Sequence, residues 1–405
     1  MKNNYLSTAF GLYINYFVHG MALIIISLNI DVFASKWGTS VAGAAVVVSS
    51  FGIGKLIAVW LSGIVSDKYG RKTSIILGIL FYLAFAIGII WSPTASIAYF
   101  FGILAGIANS FLDTGSYPAL MEAFPKKPGP ANIIVKFFIQ GGQFLLPIII
   151  GFLTMQGFWY GWSFTLLIAI LTLNLIFMST RKFPPMATPS PKMAAEEKGH
   201  EKKGKFHFSV EEICMISFGF VGLTLLTILG QWMAKYGTEV VHLGENAGRM
   251  LVSYASIGSL ICVIVTFTLG NKGVKSPSII LTYTSMTALV SLVLWAFPSP
   301  MVASVGAFFL GYFSAGGLIQ LGLTLLVEHS NRGKGLLTSL YTIAEGIAQF
   351  AMPLVLAAIY KVDITYIFLL NAFVALFGFT LVLIVHIRDK RRKVHQDLQI
   401  NEPAS

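Results

Sequence analysis

Long apolar runs with short polar interruptions dominate this chain. A bilayer-crossing helix needs about 20 mostly apolar residues. Twelve segments qualify, at roughly 9–33, 41–65, 73–91, 96–119, 132–154, 161–180, 210–235, 248–269, 277–297, 301–327, 335–358 and 364–387. The pattern predicts an all-α membrane protein of twelve transmembrane helices, with both termini on one side. It lapses in one long stretch, "RKFPPMATPSPKMAAEEKGHEKKGKFHFS", from Arg181 to Ser209. Rich in Pro, Lys and Glu, that stretch reads as a flexible cytoplasmic linker. The expected organisation is a six-helix bundle over 1–180, the linker over 181–209, a second bundle over 210–387 and a cytoplasmic tail over 388–405.

Composition agrees. Charged residues make up 11% of the chain, against about 25% in a soluble domain. The net charge of +11 is informative through its placement. With a cytoplasmic N-terminus, most of the 28 lysines and arginines fall in inner segments: Lys2, Lys68, Arg71, Lys72, Lys126, Lys127, the linker, Lys272, Lys275, Arg332, Lys334 and the run after Arg388. This is the positive-inside signature. It predicts that both termini are cytoplasmic. The charge is not a nucleic-acid footprint, because no basic folded domain carries it. Cys214 and Cys262 sit in apolar runs and read as small buried hydrophobes.

The two halves echo each other. "EAFPKK" at Glu122 has a counterpart in "EHSNRG" at Glu328, and "QFLLP" at Gln143 in "QFAMP" at Gln349, at the same offset. Parallel six-span repeats are an architecture of secondary transporters that bind substrate between the halves at mid-membrane.

The stretch "GIVSDKYGRK", Gly63 to Lys72, resembles the loop signature between spans two and three of the major facilitator superfamily. The resemblance extends over the chain: two six-span halves, a central linker and a weakened second copy of the loop, in which Asn271 replaces the acid. It implies a fold of two pseudo-symmetric six-helix bundles, and a loop that works as a cytoplasmic latch built from Gly63, Asp67, Gly70, Arg71 and Lys72. In the residues themselves, Gly63 suits close helix approach. Asp67 suits the start of the next helix, and Arg71 and Lys72 can pair with it. "GLYINYFVHGM", "ILAGIANSFLDTGSYPALMEAFP" and "SAGGLIQLGLTLLVE" resemble uncharacterised bacterial inner-membrane members supposed to handle shikimate- or quinate-like acids. "FLDTGSYP" is similar to span four of fucose-type proton symporters, where an acid serves substrate and proton; the matching residue is Asp113. Span five lacks the Gly-Pro pair of the superfamily's drug antiporters.

Charge at the bilayer centre costs about 2.5–3.5 kcal/mol on insertion scales, so intramembrane ionisable residues are candidates for function. Lys55 lies mid-span two and Glu345 mid-span eleven. Their expected approach across the two halves is either a conformational switch or a static pair; Asp113 is the other candidate partner for Lys55. Asp113 is expected to accept the proton, or to cap a neighbouring helix. His19, with an unperturbed pKa near 6.5, fits a proton relay or a hydrogen-bonded packing role. Asn15, Asn109, Gln140, Gln143, Gln320 and Gln349, together with Lys55 and His19, are candidate substrate contacts, because amides offer donors and acceptors to a hydroxylated ligand. Each amide also reads as interhelical glue. Lys136 is expected to snorkel toward the inner surface.

No Gly-rich phosphate loop points to an ATP motor, and no metal-ligand spacing or catalytic triad stands out. The reading is therefore not an enzyme and needs no metal or cofactor. It is a monomeric, proton-coupled symporter of a small polar organic acid or polyol, shikimate- or quinate-like, working by alternating access. Its partners are the substrate, protons and the lipid bilayer. The competing reading is a proton-driven exporter of metabolites or lipophilic compounds. A membrane sensor would need an output domain that linker and tail are too short to supply.

Overall fold

A computed structural model of the chain describes residues 5–125, 128–186, 208–330, 332 and 334–400. Lys2, Lys126, Lys127, most of the linker (187–207) and the end of the tail (401–405) lie outside the described residues. Twelve helices are long and apolar enough to cross a membrane: Leu6–Leu28, Val41–Tyr69, Arg71–Trp91, Ala95–Ala123, Ala131–Met155, Gly161–Thr180, Val210–Glu239, Glu245–Asn271, Ser276–Ala296, Pro300–Glu328, Leu336–Tyr360 and Tyr366–Arg391. They are spans one to twelve. No strand occurs among the described residues.

Several boundaries depart from the apolar pattern for local reasons. Span one stops at Leu28, where the Asn29 side chain donates to the Ile25 carbonyl at 2.9 Å; a short helix, Ile30–Lys36, follows. Span two runs on through Asp67 to Tyr69. It ends at Gly70, whose φ of 92° lies in the left-handed region that glycine tolerates. Span ten is interrupted. An α-helix over Pro300–Leu310 gives way to a π-turn over Gly311–Ala315, and the helix resumes at Leu318–Glu328 after Gly317 at φ 144°. The expected tail is helical as well, since the last helix continues without a break to Ile400.

Each bundle is closed by backbone-to-backbone contact. A side chain at Gly54 would strike the Ile103 carbonyl, and one at Gly106 the Phe51 carbonyl, locking span two to span four. Gly258 against Phe308 and Gly311 against Ala255 repeat the device between spans eight and ten. Helices in lipid gain little from hydrophobic burial, so small residues that admit dispersion contact carry the association. The recurrence shows the internal repeat in three dimensions.

The two bundles meet through spans two and eleven, five and eight, and one and seven. Their polar contacts lie toward the face opposite the termini. Lys235 pairs with Asp31 at 2.7 Å. Arg249 donates to the Leu28 carbonyl at 3.4 Å and to Thr154 at 3.2 Å. Ser253 donates to the Phe144 carbonyl at 2.8 Å. Gly52 admits the backbone of Gln349 and Phe350. Lys55 with Glu345 is the next contact toward the termini. These polar contacts between the halves thus lie at mid-span and toward the face away from the termini, while Gln320, Thr324, Thr338 and Ser339, nearer the termini, are exposed.

Candidate functional site

Charged residues of the two bundles meet at mid-span. Lys55 Nζ stands 3.4 Å from Glu345 Oε2, with the side chains 11% and 13% exposed. The alternative partner, Asp113, is held from span one instead: Tyr16 donates its hydroxyl to Asp113 Oδ1 at 2.8 Å. Tyr16 is buried, and its ring lies 5.6 Å from that of Tyr117. A hydrogen bond to a charged group contributes about 1.5–3 kcal/mol, so Tyr16 orients the carboxylate strongly.

Lys136 departs from expectation. It does not reach for the membrane surface; it lies within electrostatic range of Asp113, Lys55 and Glu345. Spans two, four, five and eleven therefore bring two lysines and two carboxylates to one locus. Tyr117 and Tyr341 feel the same Glu345 charge.

His19 is buried and engaged on both ring nitrogens, with Tyr82 Oη at Nδ1 and Asn109 Nδ2 at 3.5 Å from Nε2. The network ties spans one, three and four together, and His19 lies within electrostatic range of Lys55 and Lys136. Gln140 and Gln143 are buried on span five, and Gln349 is partly buried on span eleven. None of the three forms a side-chain hydrogen bond with a described residue.

Other candidates are not brought to this cluster. Asn15 is fully buried and accepts from Asn174 at 2.7 Å, which also donates to the Gly11 carbonyl. These contacts fasten span one to span six. Gln320 is exposed on the second segment of span ten, one turn from Thr324.

The loop residues form a separate site at the terminus-bearing face. Arg71 bonds Asp67 at 2.6 Å and reaches Glu122 at 3.4 Å. Lys72 does not pair with Asp67; it caps the end of span six at the Ser179 and Arg181 carbonyls, at 2.6 and 3.3 Å. Gly63 makes no close helix approach, having open space within 4 Å of a built Cβ. The tight contacts are at Gly54 and Gly106, deeper in the helix. The second bundle uses other pairs at this face: Glu212 with Arg332 at 3.0 Å and Glu211 with Arg388 at 2.8 Å.

Tyr16, Tyr82 and Tyr117 carry no signal in the sequence, and Lys136 is expected at the inner surface instead. A signal for Lys136 existed: Lys136, Gln140 and Gln143 follow one another at i, i+4 and i+7, which places them on one helix face.

A twelve-span, two-bundle helical protein with charge concentrated between its halves is a membrane transporter, not an enzyme, and its substrate is a small molecule. The Major Facilitator Superfamily profile matches residues 12–318, and the chain belongs to that family. It is 37% identical to the inner membrane transport protein YdiM of Escherichia coli (strain K12), over 99% of both chains. It is 35% identical to the uncharacterized MFS-type transporter YfkL of Bacillus subtilis (strain 168), over 96% of this chain and 98% of that one. A gentisate transporter of Corynebacterium glutamicum is 24% identical over 68% of this chain and 67% of its own. Among solved structures, a D-xylose–proton symporter superposes with a TM-score of 0.77 at 14% identity, covering 94% of this chain and 97% of that one. That likeness concerns the fold.

Proposed function

We propose that the protein is a proton-coupled secondary transporter that takes up a small hydroxylated organic acid by alternating access. The observation that carries the reading is Asp113. It is a carboxylate held by Tyr16, within electrostatic reach of the Lys55–Glu345 pair that joins the halves. A carboxylate there can exchange a proton with whichever face is open, and its charge acts on the pair joining the halves. The names of two similar proteins support the parts of this reading: a sugar–proton symporter for the coupling, and a gentisate transporter for a hydroxylated acid. Quinate and shikimate belong to the same chemical class.

In this reading both termini are cytoplasmic in a bacterial inner membrane, and the structure is the inward-open state. Residues 1–180 and 210–387 are the two moving bodies, joined by the linker at 181–209 and followed by the tail at 388–405. One chain carries the whole site and works as a monomer. Asp113 and Glu345 titrate in the cycle. His19 positions Asn109 and Tyr82 and passes protons. Lys55, Asn109, Gln140, Gln143 and Gln349 line the substrate path; Gln320 meets substrate at the mouth. The Gly63–Lys72 loop latches the cytoplasmic face when the far face opens.

The test is uptake into proteoliposomes of radiolabelled quinate, shikimate and gentisate under an imposed pH gradient, inside alkaline. Accumulation that collapses with a protonophore and in Asp113→Asn supports the reading. Gradient-driven efflux without uptake would favour the exporter.

A further inference from the structure

Span five carries a polar stripe, Asn132, Lys136, Gln140 and Gln143, at successive i+4, i+4 and i+3 steps, with Lys136 in range of the charge cluster. The other three ionic members of the cluster are engaged. Lys55 pairs with Glu345, and Asp113 accepts from Tyr16. Lys136 makes no ion pair or hydrogen bond with any described residue, although Asp113, Glu345 and Lys55 all act on it electrostatically. The amides beside it are similarly unoccupied. Gln140 and Gln143, 5% and 7% exposed, form no side-chain hydrogen bond, and the buried Asn132 Oδ1 has no partner.

An ammonium carries three donors and no acceptor. Held in a bundle with no counter-charge in contact, it has donors to offer an anion. The groups next to it on its own helix are amides, which offer donors to a carboxylate and both donors and acceptors to hydroxyls.

The charges around the site set what that anion is. Span two contributes Lys55, span four Asp113 and the neutral Tyr117, span one the His19 ring and span eleven Glu345. The Lys55–Glu345 pair cancels. With Asp113 ionised, it offsets Lys136 at a distance and the cluster is neutral. A proton on Asp113 leaves one positive charge at Lys136, which one carboxylate neutralises.

Resting on the transport reading above, we propose that Lys136 is the carboxylate-binding, specificity-determining residue of the substrate site. The site then loads a hydroxylated monocarboxylate together with one proton, so that the loaded cavity is as neutral as the empty one.

The experiment is ligand-induced thermal stabilisation of the purified full chain with quinate, shikimate and gentisate, each against its uncharged methyl ester. Only ligands that prefer the folded state raise stability. The expected result is stabilisation by at least one acid, larger at pH 5.5 than at 7.5, with its ester ineffective. Lys136→Gln then weakens that acid's apparent affinity roughly tenfold or more, as expected for loss of a charge-assisted hydrogen bond, while Lys136→Arg retains most of it. Acid and ester acting equally overturns the assignment. So does a panel in which no acid acts, or an unchanged acid affinity in Lys136→Gln. Should Lys136→Gln fail to fold, Lys136→Met, which removes the charge but keeps most of the stem, takes its place with the same expected loss. Proton-driven uptake measured in parallel separates the two readings. Uptake without acid selectivity removes the Lys136 role and leaves the transporter. Acid-selective binding that Lys136→Gln loses, without proton-driven uptake, removes the coupling and leaves Lys136.

Discussion

Lys55 of span two and Glu345 of span eleven meet 3.4 Å apart and join the two bundles at mid-span. On the far side of the pair, the same two helices pack backbone to backbone at Gly52. Removing one partner of a buried pair costs about 3–5 kcal/mol, because the survivor is left uncompensated. Lys55→Met and Glu345→Met should therefore each lower the unfolding temperature, and the double variant should recover most of the loss. All three should lose uptake. A double variant that transports at the wild-type rate would show the pair to be static packing.

Closure of the face opposite the termini is testable by cross-linking. With the free cysteines Cys214 and Cys262 replaced, Asp31→Cys and Lys235→Cys, at side chains that meet 2.7 Å apart, should be joined by a short bis-methanethiosulfonate cross-linker. Uptake should then stop and return on reduction. Undiminished uptake in the cross-linked protein would mean that the halves need not separate there.

Asp113 and Tyr16 form the next testable pair. Wild-type uptake should rise as the pH on the side opposite the termini falls. Asp113→Asn should flatten that dependence and abolish accumulation, yet retain substrate exchange across the membrane. Tyr16→Phe removes a hydrogen bond to a charged group and should slow uptake roughly tenfold, measured as initial rates.

The loop separates stability from cycling. Asp67 is 74% exposed in its pair with Arg71, whereas Glu122 is 7% exposed. Exposed pairs contribute only about 0–1 kcal/mol. Asp67→Asn should leave the unfolding temperature nearly unchanged while reducing uptake. Arg71→Ala should lower both, since it also removes the bond to the buried Glu122 carboxylate. A stable, fully active Asp67→Asn would remove the latch role.

Glycine position matters more than glycine count. Gly63→Ala should leave the unfolding temperature unchanged, because a Cβ there meets open space. Gly54→Ala and Gly106→Ala drive a Cβ into the Ile103 and Phe51 carbonyls, and overpacking of this kind costs about 1–3 kcal/mol. Fluorescence-monitored melting of the three variants checks the order.

The apolar runs by themselves determined the number of spans, because lipid demands about 20 apolar residues and an internally bonded helix at each crossing. The shared offsets between "QFLLP" and "QFAMP" revealed the repeat, and the mid-span positions of Lys55, Asp113 and Glu345 marked them as exceptional, since burying charge is expensive wherever the helix sits. Which partner each charge takes depends on helix rotation and on the approach of segments far apart in sequence, and hydropathy encodes neither. Only the tertiary structure decided that Lys55 meets Glu345, that Tyr16 takes Asp113, that Asn15 fastens span one to span six, and that Lys136 turns toward the cluster. Snorkelling and inward burial are both open to a lysine one turn into a span, and the neighbours that choose between them come from three other helices.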